Sequence, residues 1–218
     1  MKIYSAIYND YAHLDDLFPE ATCLTINNPD ELDEPGILII HGGSDISPTI
    51  YNQAPIKQTQ ATAKLSKRDE TELALMKHAV KKGIFIYGIC RGAQLACCLA
   101  GGSLIQHVTN HQSAHMIYTS TIKLEANSAH HQMMNLKNTV NTPLAWTPTG
   151  TSACYLSDGE EKIPDFEPDI VWFPEIKALA VQGHPEWLYP SNKYVKFCNN
   201  LILNYFRQPA PKQGSHNV

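Results

Sequence analysis

Cys90 sits at the centre of Gly88-Ile89-Cys90-Arg91-Gly92, a run suited to a cysteine nucleophile. It has the form of the G-x-S-x-G elbow with cysteine in place of serine, in which a strand turns sharply into a helix and leaves the central residue strained and exposed. Glycine two positions to either side lets neighbouring backbone approach without a Cβ clash. A helix beginning at Arg91 aims free N–H groups and a positive dipole end at the sulfur, which favours the nucleophilic thiolate. The backbone N–H of Arg91, the residue after the nucleophile, can donate to an oxyanion. The alternative is a packed core cysteine, and that reading suits Cys97 and Cys98 better.

Other chemistry-bearing residues carry weaker signals. His107, His111 and His115 recur every four residues, which would align metal ligands on a helix. Gly101-Gly102 before them and a strand pattern after them argue against a helix, so no metal is expected. The six cysteines (Cys23, Cys90, Cys97, Cys98, Cys154 and Cys198) include no CxxC pair, so neither a zinc site nor a disulfide scaffold is indicated. His130-His131 either lines a cleft or forms a hydrogen-bonded loop pair.

The elements around Cys90 follow from local pattern. Ile3 to Tyr8 and Gly36 to Ile40 are short apolar runs, the second ending in Gly42-Gly43. Ser66 to Lys82 is an amphipathic helix capped by Ser66. Asp69, Glu70 and Glu72 suit its positive end, Lys81-Lys82 its negative end, and Gly83 stops it. Leu73, Met76 and Val80 give its apolar stripe, and Lys77, Lys81 and Lys82 its solvated side. Ile84 to Tyr87 reads as a buried strand and Arg91 to Ala100 as a second helix. Strand–helix–strand–helix order predicts an α/β fold with an open, mostly parallel sheet covered by helices on both faces. Ligands in such sheets bind at the carboxyl ends of the strands, where both Gly42-Gly43 and Cys90 fall. Further on, Met116 to Leu124 and Ala178 to Gln182 read as strands and Ser157 to Pro174 as an irregular surface excursion. Ser191 to Arg207 reads as a closing helix with Tyr194, Phe197, Leu201 and Tyr205 on one face. Residues 1–208 are expected to form one domain, followed by a disordered tail over 209–218.

The run GICRGAQLACCLAGGSLIQH over residues 88–107 resembles the signature of the γ-glutamyl-γ-aminobutyrate hydrolase family, of the peptidase C26 type. That family lies in the class I glutamine amidotransferase-like superfamily, whose fold is flavodoxin-like. His41-Gly42-Gly43-Ser44-Asp45 with Pro48 and Tyr51, Arg68-Asp69 with Glu72, Asn127 to Gln132, and Val181 to Glu186 extend the likeness in the same order. It covers roughly residues 36–190. Cys97 departs from the family's usual asparagine, and residues 140–175 match poorly. The resemblance implies Cys90 as nucleophile, His184 as base and Glu186 as the residue orienting that histidine. Two residues apart on extended backbone, His184 and Glu186 can point to one side. The resemblance further implies Gly43 as an oxyanion donor beside Arg91, Gly42 as its neighbour in the substrate site, and Gln94 as a hydrogen-bond partner of the glutamyl group. His131 belongs to the family-like segment and is a candidate for substrate contact. The divergent stretch 140–175 is expected to touch the amine half of the substrate.

The implied activity is cysteine-dependent hydrolysis of γ-glutamyl amides through a thioester, without cofactor. The alternative is a glutaminase subunit passing ammonia to a separate synthetase or ligase, since the chain has no GxxxxGK[ST] loop of its own. A non-catalytic binding protein would need a broken triad. Composition fits these readings. The 218 residues are 43% hydrophobic and 17% charged, enough for a real core, and the net charge of −4 disfavours nucleic acid. No stretch nears the roughly 20 apolar residues of a membrane helix, and the N-terminus lacks the pattern of a signal peptide. A cytosolic protein is expected, with a homodimer as one candidate assembly.

Overall fold

Short runs of apolar residues pair side by side into a nine-stranded sheet. The computed structural model describes residues 1–208; the tail expected to be disordered, 209–218, lies outside the described residues. Five strands form the parallel half: β1 (Lys2–Ala6), β2 (Thr22–Ile26), β3 (Gly36–Ile40), β4 (Phe85–Ile89) and β14 (Ala178–Val181), in the order β2-β1-β3-β4-β14. The sheet continues antiparallel through β13 (Glu167–Phe173), β10 (Thr142–Thr147), β7 (His115–Tyr118) and β8 (Lys123–Ala126). Two small sheets lie outside it. One pairs β5 (Ser103–Ile105) with β9 (Met133–Asn135). The other joins β6 (His107–Val108), β11 (Tyr155–Ser157) and β12 (Glu160–Glu161).

Successive side chains of a strand point to opposite faces, and the central strands are apolar on both. Leu38 and Ile40 of β3, Ile86 of β4 and Ala180 of β14 join one core with Leu75, Met76 and Ala79 of α2 (Lys67–Lys82) and Ala93, Ala96 and Cys97 of α3 (Arg91–Leu99). Ile37, Ile39, Tyr87 and Val181 face the other way. They pack against Leu14 of the one-turn α1 (Leu14–Leu17) and Tyr194, Cys198 and Ile202 of α4 (Lys193–Phe206). The open sheet covered on both faces is therefore present, and among the described residues no helix is long and apolar enough to cross a membrane.

Two segments differ from the expected elements. Met116 to Leu124 is not one strand: β7 and β8 form a hairpin whose turn is tied by Thr119, which donates its N–H and its hydroxyl to the Ile122 carbonyl. The supposed surface excursion contains β13, buried along its whole length. Its acidic residues tolerate burial because each is hydrogen-bonded, Glu167 to His111, Tyr155 and the Ser152 N–H, and Asp169 to His115 and Thr147. The stripe of α2 is also rotated from its expected position. Asp69, Glu72, Leu75, Met76 and Ala79 are buried, and Leu73 and Val80 pack only at its margin.

Candidate active site

Three adjacent parallel strands, β3, β4 and β14, end on the same side of the sheet, and each delivers one part of the site. β4 runs into Cys90, whose backbone sits at φ 49° and ψ −102°, before α3 begins at Arg91. A non-glycine residue at positive φ is strained, and such residues concentrate at functional sites. The strain is held in place by packing. The Cys90 N–H donates to the Val181 carbonyl of β14 at 2.7 Å, and a Cβ on Gly92 would come within 2.0 Å of the Ile40 carbonyl oxygen. A Cβ on Gly88 would fall 2.5 Å from the Gly92 carbonyl oxygen, so both flanking glycines are required by close approach. Gln182 extends its amide to within 3.8 Å of the Cys90 sulfur.

β14 leads to His184, whose Nδ1 lies 2.7 Å from Glu186 Oε1. A single turn of 3-10 helix over Pro185–Trp187 brings Glu186 back to the histidine. Asn127 grips the His184 backbone from outside, donating to its carbonyl at 2.6 Å and accepting from its N–H at 3.2 Å. Trp187 stacks flat on the imidazole, with ring centroids 3.6 Å apart and planes within 8°. Burial pulls the His184 pKa down, but hydrogen bonds to Cys90 and Glu186 and the negative charge of both outweigh it and raise it to about 9.

β3 ends in the glycine turn. A Cβ on Gly42 would stand 2.6 Å from His184 Cε1 and 3.4 Å from the Cys90 Cβ, so the turn fits against both side chains only as glycine. Arg68 fixes this turn from behind. Its Nη2 donates to the carbonyls of His41 (3.0 Å) and Gly42 (2.9 Å), and its Nε donates to Glu72 at 2.9 Å. Glu72 also accepts from the Arg91 side chain, which is 1% exposed and donates to Asp69 as well. One buried ion network thus joins the glycine turn to the start of α3. Burial lowers the pKa of His41, next along the chain; its Nε2 contacts Ser5 Oγ and the Asp10 carbonyl.

Cys90, His184, Glu186, Gly42, Gly43 and Arg91 are therefore brought together. Gln94 lies one turn into α3, buried, with its amide donated to the Gln132 carbonyl at 3.0 Å. His131 is engaged elsewhere: its Nε2 is 2.9 Å from Asp45 and its Nδ1 is 3.4 Å from His107 Nδ1. His111 and His115 pair with Glu167 and Asp169, and among the described residues no cluster has the geometry of a metal site. Beside His184 opens a cavity of about 350 Å³, walled partly by Tyr8, Asp10, His41 and Trp187. Among the described residues, none from 140–175 lines it. Tyr8, Asp10 and Trp187 are additions to the residues singled out from sequence. Trp187 follows directly on Pro185-Glu186, the one local signal that pointed to it.

Residues 30–151, over half of the chain, match the family model described as Peptidase C26. Protein NtpR of Enterococcus hirae is 28% identical over 187 residues, spanning 75% of this chain and 70% of its own. YvdE of Lactococcus lactis, provisionally described as a glutamine amidotransferase-like protein, is 26% identical over 77% of this chain and 72% of its own. Among solved structures, a glutamine amidotransferase from Thermotoga maritima shares the fold with a TM-score of 0.56 at 14% identity, covering 95% of this chain and 90% of that one. A Thermoplasma acidophilum protein provisionally described as a GMP synthase subunit gives 0.58 at 15% identity, over 94% and 92%. The chain belongs to the peptidase C26 family of the class I glutamine amidotransferase-like superfamily, a group of amidotransferase-type hydrolases.

Proposed function

We propose that the chain hydrolyses γ-glutamyl amides through a covalent thioester on Cys90. The observation that carries this reading is the strained elbow at Cys90 facing an imidazole that Glu186 holds at 2.7 Å. Cys90 Sγ attacks the γ-carbonyl carbon, and the oxyanion takes hydrogen bonds from the N–H groups of Arg91 and Gly43. The carbon–nitrogen bond then breaks as His184 gives its proton to the leaving amine. Water, deprotonated by His184, attacks the thioester and releases glutamate and the free thiol. Gln94 and the backbone at Gly42 position the glutamyl half.

Cys90→Ser is expected to reduce hydrolysis of a γ-glutamyl amide by roughly 10⁴-fold or more while leaving the unfolding midpoint unchanged. Acid quench of a slow substrate, followed by mass spectrometry, is expected to find a glutamyl adduct on Cys90. Cys97→Ser and Cys98→Ser serve as controls that retain turnover. Activity surviving in Cys90→Ser, or an adduct on another residue, removes Cys90 from the nucleophile role. A second reading, a glutaminase subunit serving a separate synthetase or ligase, draws on the likeness to the provisional GMP synthase component. It requires free glutamine to outcompete substituted amides as substrate.

A further inference from the structure

The cavity beside His184 has a chemical character that bears on the amine half of the substrate, an inference that rests on the γ-glutamyl hydrolase reading. The group that protonates the leaving nitrogen must touch it, so the space next to the imidazole is where the departing amine lies. Two acidic residues line that space, Asp10 and Glu186, and among the described residues no lysine or arginine does. Glu186 is paired with His184. Asp10 is exposed; its Oδ1 accepts the Ala12 N–H at 2.8 Å, and no ion pair forms on it among the described residues. Arg68 reaches the Tyr8 hydroxyl at 3.0 Å, yet its charge is matched by Glu72 and its guanidinium is spent on the His41 and Gly42 carbonyls, just as the charge of His184 in the wall is matched by Glu186. Burial lowers the pKa of His41 and so works against a positive charge there. The walls are aromatic and open to solvent: Trp187 is 62% exposed with His184 stacked on one face, and Tyr8 is 43% exposed with Arg68 already 5.0 Å from its ring centroid. That leaves the other face of Trp187 as the main π surface. Such rings attract an ammonium group through the negative faces of their π systems.

We propose that this cavity receives the leaving amine and favours amine halves that carry a second positive charge, the alkyl diamine and polyamine class. An amine bearing a far carboxylate, such as γ-aminobutyrate, would instead bring that carboxylate into a space whose unpaired charge is Asp10. The mouth at Trp187 and Tyr8 accommodates chains extending outward, so the second ammonium can meet Asp10 while the scissile nitrogen stays on His184.

The test is steady-state kinetics on three γ-glutamyl amides of matched length, made from 1,4-diaminobutane, n-pentylamine and γ-aminobutyrate. At low salt the expected order of kcat/KM is cation over neutral by about three-fold and cation over anion by about ten-fold, the scale that exposed charge pairs support. Raising the salt to about 1 M, where the Debye length falls to roughly 3 Å, is expected to compress that order on the unaltered protein. Asp10→Asn, whose amide oxygen still accepts the Ala12 N–H, is expected to bring the cation-over-neutral ratio of kcat/KM down to about one. Equal rates on all three amides, or preference for the γ-aminobutyrate compound, overturn the charge selection but leave the hydrolase reading standing. An order untouched by both salt and Asp10→Asn overturns it too. Failure to cleave any of the three removes the hydrolase reading and this inference together.

Discussion

His184 lies between two groups that both favour its protonated form, the Cys90 sulfur and the Glu186 carboxylate, and its pKa stands near 9 against the pull of burial. A base raised this far is an imidazolium at neutral pH, suited to hand a proton to a leaving amine and then to take one from water. Activity should therefore hold through neutral pH and fall on an alkaline limb near 9, where the acid form is lost. The sign of the change in Glu186→Gln follows directly. Removing a negative neighbour weakens the imidazolium, so the limb in kcat/KM moves to lower pH. The amide still holds the ring, and the rate at neutral pH falls only modestly. His184→Ala has no such remedy and is expected to lose about 10²–10⁴-fold. A pH–rate series on the three proteins checks both; an alkaline limb that stays in place in Glu186→Gln would show that the carboxylate does not set the His184 proton affinity.

At the scale of elements, the oxyanion donors come from two places, the turn after β3 and the first turn of α3, and α2 ties them together. Glu72 accepts from both Arg68 and Arg91, and all the charges in this bridge except Arg68 are fully buried. Removing one partner of a buried ion pair leaves the other uncompensated, which costs about 3–5 kcal/mol. Glu72→Gln is expected to lower stability on that scale by urea denaturation. Its kcat should fall more than its KM rises, because misplaced N–H donors matter most in the transition state. Arg68→Lys is expected to reproduce the kinetic effect, since one ammonium cannot replace a planar fork that reaches two carbonyls and a carboxylate. This network also shows where local reading of the sequence stops. The elbow, the cap at Ser66 and the closing helix were legible because their signals lie within a few residues of one another. Asp69 and Glu72 fall in the first turns of α2 and read as helix-dipole residues, yet their partner Arg91 lies 22 and 19 residues away. β13 was hidden for the same reason. Glu167 and Asp169 look like surface charges until His111 and His115, 56 and 54 residues earlier, are folded against them. Tyr8 and Asp10 reach the cavity only because β1 lies beside β3 in the sheet.

The whole molecule carries histidines shifted in opposite directions, and together they set how its stability depends on pH. His130 is buried and stacked on His111 with ring centroids 4.8 Å apart; burial first, then the neighbouring imidazole, pushes its pKa well below the usual 6.5. His41 is lowered by burial as well. An unfolded chain takes up protons at these sites from about pH 6.5 downward while the folded chain does not, so stability falls as the medium is acidified. His184, at about 9, and His115, where Asp169 outweighs burial, are raised. Their contribution is complete below 6.5 and constant there. It is lost as pH climbs from about 6.5 through their folded values, because the folded state then surrenders protons that the unfolded state has already released. The depressed carboxylates, Asp33 and Glu167, act only at still lower pH, below about 4.5. The buried thiols of Cys97, Cys98 and Cys198, raised by burial, add to the decline only as pH nears the pKa of a free thiol, about 8.5, so the interval between is left to the histidines. Stability is thus expected to peak near pH 6.5 and to decline on both sides. Urea midpoints taken from pH 5 to 9 test this, and two variants separate the limbs. His130→Gln should make the acid side shallower, with His41 keeping part of it, and leave the alkaline slope intact. His184→Gln should make the alkaline side shallower, with His115 keeping part of it, and leave the acid slope intact. What matters in each is the slope against pH, so a uniform loss of stability from the substitution does not obscure the outcome. A midpoint that rises steadily from 5 to 9, or a His130→Gln protein that keeps the acid slope, would mean that the buried imidazoles do not govern the balance.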